Sequence, residues 1–201
     1  MAVELEARVR EALGAHPAVS SVELVGSRAQ GRETMLSDWD FLVKVDVFAE
    51  VRETLSDLVA PLQPIVEQWD RLSEEASYYM LLLPGGVKVD LVFDVPPVRE
   101  PPWEVRAETL PALDAHFWDW ILWLGGKQLA GDDRLVRITL DRLMYEHLLR
   151  PVGLAEPPAT IAEAIERYRA ARSECERELG VQVPRAAEEA VLPRLLAASV
   201  V

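Results

Sequence analysis

The sequence predicts an α+β protein, a small mixed β-sheet with helices on one face followed by a C-terminal helical bundle. Three observations carry that expectation. Strand-like alternation is confined to the first half and is clearest over 38–46, where Trp39, Phe41, Val43 and Val45 share one face and Asp38, Asp40, Leu42, Lys44 and Asp46 the other. Four prolines, Pro96, Pro97, Pro101 and Pro102, mark a linker from roughly 95 to 108. Beyond them every periodic segment has helical spacing. The expected division is 1–105 for the sheet domain and 106–201 for the helical domain.

Taken in order, residues 3–14 read as a helix, with Val3, Ala7, Val9 and Leu13 at helical intervals and Gly14 with Pro17 as the stop. Residues 21–25 alternate as a strand that ends at Gly26-Ser27. Arg28 to Ser37 has no apolar period and reads as a short helical turn and loop. After the strand at 38–46 comes a helix at 48–60, closed by Pro61. Strands follow at 65–69, 78–83 and 87–93, the last two joined through Pro84-Gly85-Gly86 as a hairpin. On the final strand Val87, Val89, Leu91 and Phe93 share one face, and Lys88, Asp90, Val92 and Asp94 the other. In the second half, 112–130 places Leu113, Phe117, Trp120, Ile121 and Leu124 on one stripe. Residues 133–150 place Leu135, Ile138, Arg142, Tyr145 and Leu149 at helical intervals. Residues 160–179 carry Glu163 and Arg167 four apart on a charged face, and 185–199 form a last, Ala- and Leu-rich helix.

Composition bounds the function. Half of the 201 residues are apolar and 27% are charged, too apolar for intrinsic disorder. Acidic residues outnumber basic ones 34 to 21, giving a net charge of −13. Such a chain repels a phosphate backbone, which argues against nucleic acid as partner, and suits a cationic small substrate. A single cysteine, Cys175, excludes an internal disulfide and a cysteine-based zinc site, and His16, His116 and His147 lack metal-ligand spacing. The N-terminal residues have no basic stretch followed by an apolar run, and no apolar segment approaches a membrane span. The expected compartment is the cytoplasm, with no membrane partner.

The chemistry concentrates between residues 25 and 41. Gly26-Ser27 stands where a strand gives way to a helical turn, so unpaired N–H groups, a hydroxyl and a glycine permitting close approach together make an anion corner. Asp38 and Asp40, two apart on a strand, project from one face about 7 Å apart at Cα. Two such charges repel unless a cation joins them, and Mg²⁺ binds through one or two carboxylates plus substrate phosphates. Asp90, on the polar face of another strand, completes the set if the two strands are neighbours.

The run Gly26-Ser27-Arg28-Ala29-Gln30-Gly31, then Asp38-Trp39-Asp40-Phe41 eleven residues after Ser27, resembles the signature of the polymerase-beta-like nucleotidyltransferases. That signature is a glycine-serine turn, a spacer, an acid-x-acid pair and a third acid on a later strand. Its small members include the aminoglycoside nucleotidyltransferases and the minimal nucleotidyltransferases. The resemblance implies transfer of a nucleoside monophosphate, AMP from ATP, onto a hydroxyl of a small molecule such as an aminoglycoside, with pyrophosphate released and two Mg²⁺ ions bound. It assigns Asp38, Asp40 and Asp90 to metal, Asp90 also to catalysis as third acid or general base, and Gly26, Ser27 and Arg28 to the triphosphate. The aromatic helix Phe117–Asp132 is similar to a segment of aminoglycoside adenylyltransferase-like proteins, which implies that Lys127 reaches the triphosphate, in a cleft between the two domains. This chain is shorter than the best known aminoglycoside enzymes, so substrate-binding parts are either missing or supplied by the second subunit of a homodimer. A protein-adenylylating antitoxin and a non-catalytic nucleotide-binding module are the alternatives.

Several residues have a second reading. Asp38 and Asp40 equally suit the solvated face of an edge strand, and Asp94 competes with Asp90 as third acid. Arg28 also fits a surface or structural charge, and Lys127 a basic residue at a helix C-terminus. Lys44 and Lys88 either hold a phosphate or balance the acids. Among Trp118, Trp120 and Trp123, one turned outward would stack on a base. Glu104, Glu108, Asp114 and Asp119 are candidates for binding a cationic acceptor or taking its proton, with no spacing to choose among them.

Overall fold

The computed structural model describes residues 2–70, 75–97 and 103–201. Pro101 and Pro102 of the expected linker lie outside the described residues. The chain forms two compact units, Met1–Glu33 with Asp38–Pro101, and Thr34–Ser37 with Pro102–Val201.

The first unit runs α1 (Ala2–Gly14), β1 (Val19–Val25), α2 (Gly26–Ala29), β2 (Trp39–Val45), α3 (Phe48–Val59), β3 (Val66–Asp70), β4 (Ser77–Leu83) and β5 (Val87–Phe93). The five strands form one sheet in the order β1-β2-β5-β4-β3. β2 and β5 are parallel and the other pairs antiparallel, so the sheet is mixed. Alternation decides what each face does. Trp39, Phe41 and Val43 on β2 and Val89, Leu91 and Phe93 on β5 point to one side, where Val9 and Leu13 of α1 and Val51, Leu55 and Val59 of α3 close over them. Full burial of a side chain such as Phe41 or Leu91 stabilises by about 1.5–3 kcal/mol each. The β4–β5 hairpin turns at Pro84-Gly85-Gly86, where both glycines take positive φ, 77° and 68°, which L side chains rarely adopt. The opposite face of β5 is not solvated: Lys88 and Asp90 are 4% and 5% exposed.

The second unit contains α4 (Leu110–Leu129), α5 (Asp133–Ile138), a π-helix (Thr139–Leu149), α6 (Ile161–Leu179) and α7 (Ala186–Ala197). α4 is its axis, buried all round from Leu113 to Leu122 and in contact with each of the other helices. Thr160 caps α6 by accepting from the Glu163 N–H at 3.1 Å, Glu163 accepts from the Ala159 N–H, and Gly180 ends the helix with φ 66°. The Glu163–Arg167 pair forms as the spacing predicts. Leu36, from the short Thr34–Ser37 segment, is buried in this unit, and a side chain at Gly125 would press on it and on Leu195.

One helix departs from expectation. Instead of a uniform α-helix over 133–150, α5 widens into the π-helix. The buried positions are Val136, Thr139, Leu140, Met144, Leu148 and Leu149; Leu149 lies inside as its spacing predicts, and Val136, Leu140, Met144 and Leu148 are four residues apart, while Ile138 and Leu143 are 43% and 45% exposed and Arg142 also faces out. A repeat of four exceeds the 3.6 residues of an α-turn, and the wider π-turn accommodates it. Among the described residues no helix is long and apolar enough to cross a membrane.

Candidate active site

Sheet register assembles the carboxylates. The β1–β2 pairing sets Val25 opposite Asp40, and the parallel β2–β5 pairing sets Asp40 opposite Asp90. Directly opposed residues share a face, so Asp40 and Asp90 point to the same side, away from the α1 and α3 core. Asp38 sits one residue before β2 begins and not within it, yet its carboxylate joins the other two. One ligand oxygen from each of Asp38, Asp40 and Asp90 lies within 4.8 Å of the others. The edge-strand reading of the first two fails, because β2 has a strand on either side. Asp94 is exposed beyond the end of β5 and stands outside the cluster.

Gly26 explains how the cluster keeps its shape. It adopts φ 70°, and a Cβ there would overlap Asp40 Oδ2 and stand 3.0 Å from Asp40 Cγ. The glycine therefore gives up its side chain to the Asp40 carboxylate, a role set by the β1–β2 register. Sequence reasoning assigned it only to close approach of a phosphate. A Gly26→Ala variant is expected to lose about 1–3 kcal/mol of stability from the strained backbone, and to bind divalent ions poorly because Asp40 is pushed aside. A thermal melt and a Mn²⁺ titration on the same sample check both.

α2 is a single turn of four residues. Its dipole is that of one turn, so an anion at this corner would depend on the backbone N–H groups and the half-buried Ser27 more than on a macrodipole. Arg28 is tied to structure. Its Nε donates to the Asp38 carbonyl at 2.8 Å and its guanidinium carbon lies 4.3 Å from the centroid of the Trp39 ring. It thus clamps the backbone that presents Asp38, a contact no sequence spacing announces. Lys88 balances the acidic cluster, pairing with Asp90 at 2.7 Å in the interior, whereas Lys44 pairs with Glu23 at 3.2 Å on the surface and not with the cluster. Burial pushes the Asp90 carboxyl above its usual range; Lys88 pulls it down, and Asp38 and Asp70 push it up further. Asp70, buried at the end of β3, is a contributor that the alternation over 65–69 did not reveal.

Among the solved structures similar to this chain are the following two. One is an aminoglycoside 6-adenyltransferase from Bacillus subtilis, with 12% identity, 96% of this chain and 97% of that chain covered, and a TM-score of 0.32. The other is the polymerase core of TRAMP, an RNA surveillance complex, with 13% identity, 99% of this chain and 55% of that chain covered, and a TM-score of 0.42. No family model matches the chain, and no curated protein does.

The second unit answers several of the open readings. Lys127 lies in the last turn of α4 with its Nζ 5.2 Å from the centroid of the Trp123 ring. Trp123 is half-buried, whereas Trp118 and Trp120 are core residues, so Trp123 is the tryptophan turned outward. Asp114 is 2% exposed and accepts from Arg172 at 2.8 Å and Tyr168 at 3.1 Å, so it ties α4 to α6 and is not open to an acceptor. Asp119 is buried at 1%. Glu104 and Glu108 are exposed, Glu104 pairing with Arg106. His116 and His147 pack against Trp103, at 5.3 Å and 4.8 Å between ring centroids, as ordinary packed histidines do.

Proposed function

We propose that the protein is a divalent-metal-dependent nucleotidyltransferase that moves AMP from ATP onto a hydroxyl of a small molecule. The observation that carries this reading is the convergence of Asp38, Asp40 and Asp90 oxygens within 4.8 Å beside the Gly26-Ser27 corner. Three hard carboxylate oxygens and a backbone cradle fit magnesium and phosphate better than any softer metal. Asp38, Asp40 and Asp90 would hold the metal, two ions when the triphosphate is present. Bound magnesium supplies neutralisation of the phosphate oxygens and of the departing pyrophosphate.

The chain's own residues do the rest. The N–H groups at Gly26 and Ser27 and the Ser27 hydroxyl grip the triphosphate. Arg28 adds positive charge at that corner while its Nε restrains Asp38. The acceptor oxygen forms its bond to the α-phosphorus as the bond to pyrophosphate breaks, and the acceptor proton passes to an Asp90 carboxylate oxygen. An aminoglycoside-like polycation is the proposed acceptor, supported by the motif Gly26-Ser27-Arg28-Ala29 through Asp38-Trp39-Asp40 and by the net charge of −13.

The test is incubation of the purified protein with ATP, Mg²⁺ and a panel of aminoglycosides. The expected result is pyrophosphate release together with an AMP adduct on one acceptor, identified by mass spectrometry. No release with any panel member would eliminate this acceptor class, and an AMP adduct on a co-purified protein would replace it with a protein hydroxyl.

A further inference from the structure

Lys88 has no counterpart in the proposed reaction, and its surroundings are unusual. A lysine is among the residues least often buried, yet Lys88 is 4% exposed and stands two residues before Asp90 on the same face of β5. Its Nζ donates to Asp90 Oδ1 at 2.7 Å. Lys44 offers the contrast, since it also lies on the polar face of a central strand, but its side chain is 53% exposed and its partner Glu23 is a surface residue. Lys88 is therefore built into the site, where Coulomb forces are little screened by solvent.

Resting on the metal-site reading above, we propose that Lys88 is the resident counter-ion of the carboxylate cluster: its ammonium occupies Asp90 in the metal-free protein and competes with a divalent cation for that carboxylate, so free metal binds weakly and the site fills when metal arrives with its triphosphate. The charges support this order. Three carboxylates and one ammonium sum to −2, Asp70 and the Arg28 guanidinium add one nearby charge of each sign, and a divalent ion approaching Asp90 meets a like charge already in hydrogen-bond contact with it. A triphosphate brings its own negative charge and offsets that repulsion. Removal of the ammonium would unmask Asp90 without displacing it, because β5 is paired on both sides and Asp90 is held by register with Asp40 and Met80.

The experiment is a Mn²⁺ titration of the full chain without nucleotide, followed by electron paramagnetic resonance, on the wild type, Lys88→Met and Lys88→Arg. Lys88→Met, which keeps the stem and removes the charge, is expected to bind Mn²⁺ about tenfold tighter or more. Lys88→Arg, which keeps the charge, is expected to stay near wild type. The metal-free Met variant should also melt below the wild type, with the gap closing at saturating Mn²⁺, because the ion replaces the missing partner of Asp90. If Lys88→Met fails to fold, Lys88→Gln, which retains a donor to Asp90, reads out the same charge change. Unchanged or weaker Mn²⁺ binding in the folded Met or Gln variant overturns the counter-ion role. Asp40→Asn separates the two levels. If it binds Mn²⁺ like the wild type, the metal-site reading itself falls; if it loses binding while Lys88→Met gains none, only the role of Lys88 falls.

Discussion

Asp40→Asn is expected to reduce nucleotidyl transfer by roughly a thousandfold while leaving the fold intact. Asp40 is the middle member of the cluster, flanked by Gly26 on one side and register-paired with Asp90 on the other. Asparagine has the same shape, so the close fit against Gly26 is preserved, but the side chain carries no charge and has one fewer oxygen to offer a metal. The side chain is half-buried, and its replacement lowers the repulsion among three neighbouring carboxylates. Initial rates of pyrophosphate release and a thermal melt of the same preparation are the measurements. Retained turnover would remove Asp40 from the chemistry, and an unfolded variant would make it a structural residue.

Arg172→Met carries the largest expected loss of stability, about 3–5 kcal/mol. Arg172 is 3% exposed on α6 and donates to Asp114 of α4 at 2.8 Å and to Glu188 of α7 at 2.7 Å, so one guanidinium joins three helices. Without it Asp114 remains a buried carboxylate that still accepts from the Tyr168 hydroxyl, whereas Glu188 keeps Arg169. The cost comes from stranding a charge, not from losing an attraction, and this has a testable sign. The double variant Asp114→Leu/Arg172→Met, which removes both partners, is expected to be more stable than Arg172→Met alone. Denaturant midpoints of the two variants and the wild type decide it; a double variant no more stable than the single one would refute the account.

Much of the first unit was legible because period-two alternation is a direct image of a half-buried strand. Trp39, Phe41 and Val43 announced their face, as did Val89, Leu91 and Phe93, and Pro84-Gly85-Gly86 announced the hairpin between β4 and β5. The identity of two of the acids was legible for the same reason, since Asp40 and Asp90 occupy the polar positions of those strands, whereas Asp38 lies one residue before β2. Their meeting was not. It depends on a parallel pairing of β2 with β5 across an intervening helix and two strands, and local spacing carries no record of such a register. The Arg28 clamp on the Asp38 carbonyl was hidden because it is a side-chain-to-backbone contact across a loop. Asp114 reads in the sequence as a candidate for the acceptor because its partner Arg172 lies in another helix, and the stripe over 133–150 drifts because it assumes an α-turn where the helix widens.

The order of strands also has a consequence for how the unit is made. β1 with β2, and β3 with β4, are antiparallel pairs of chain neighbours that local contacts can form, whereas β5 is the last strand to be synthesised and the one that joins them. Without residues 87–93 the other four strands have no continuous ladder between them, and Asp90 is missing from its place beside Asp40. The acidic centre is thus the seam of the unit, and a nascent or truncated chain that stops short of that strand cannot carry it.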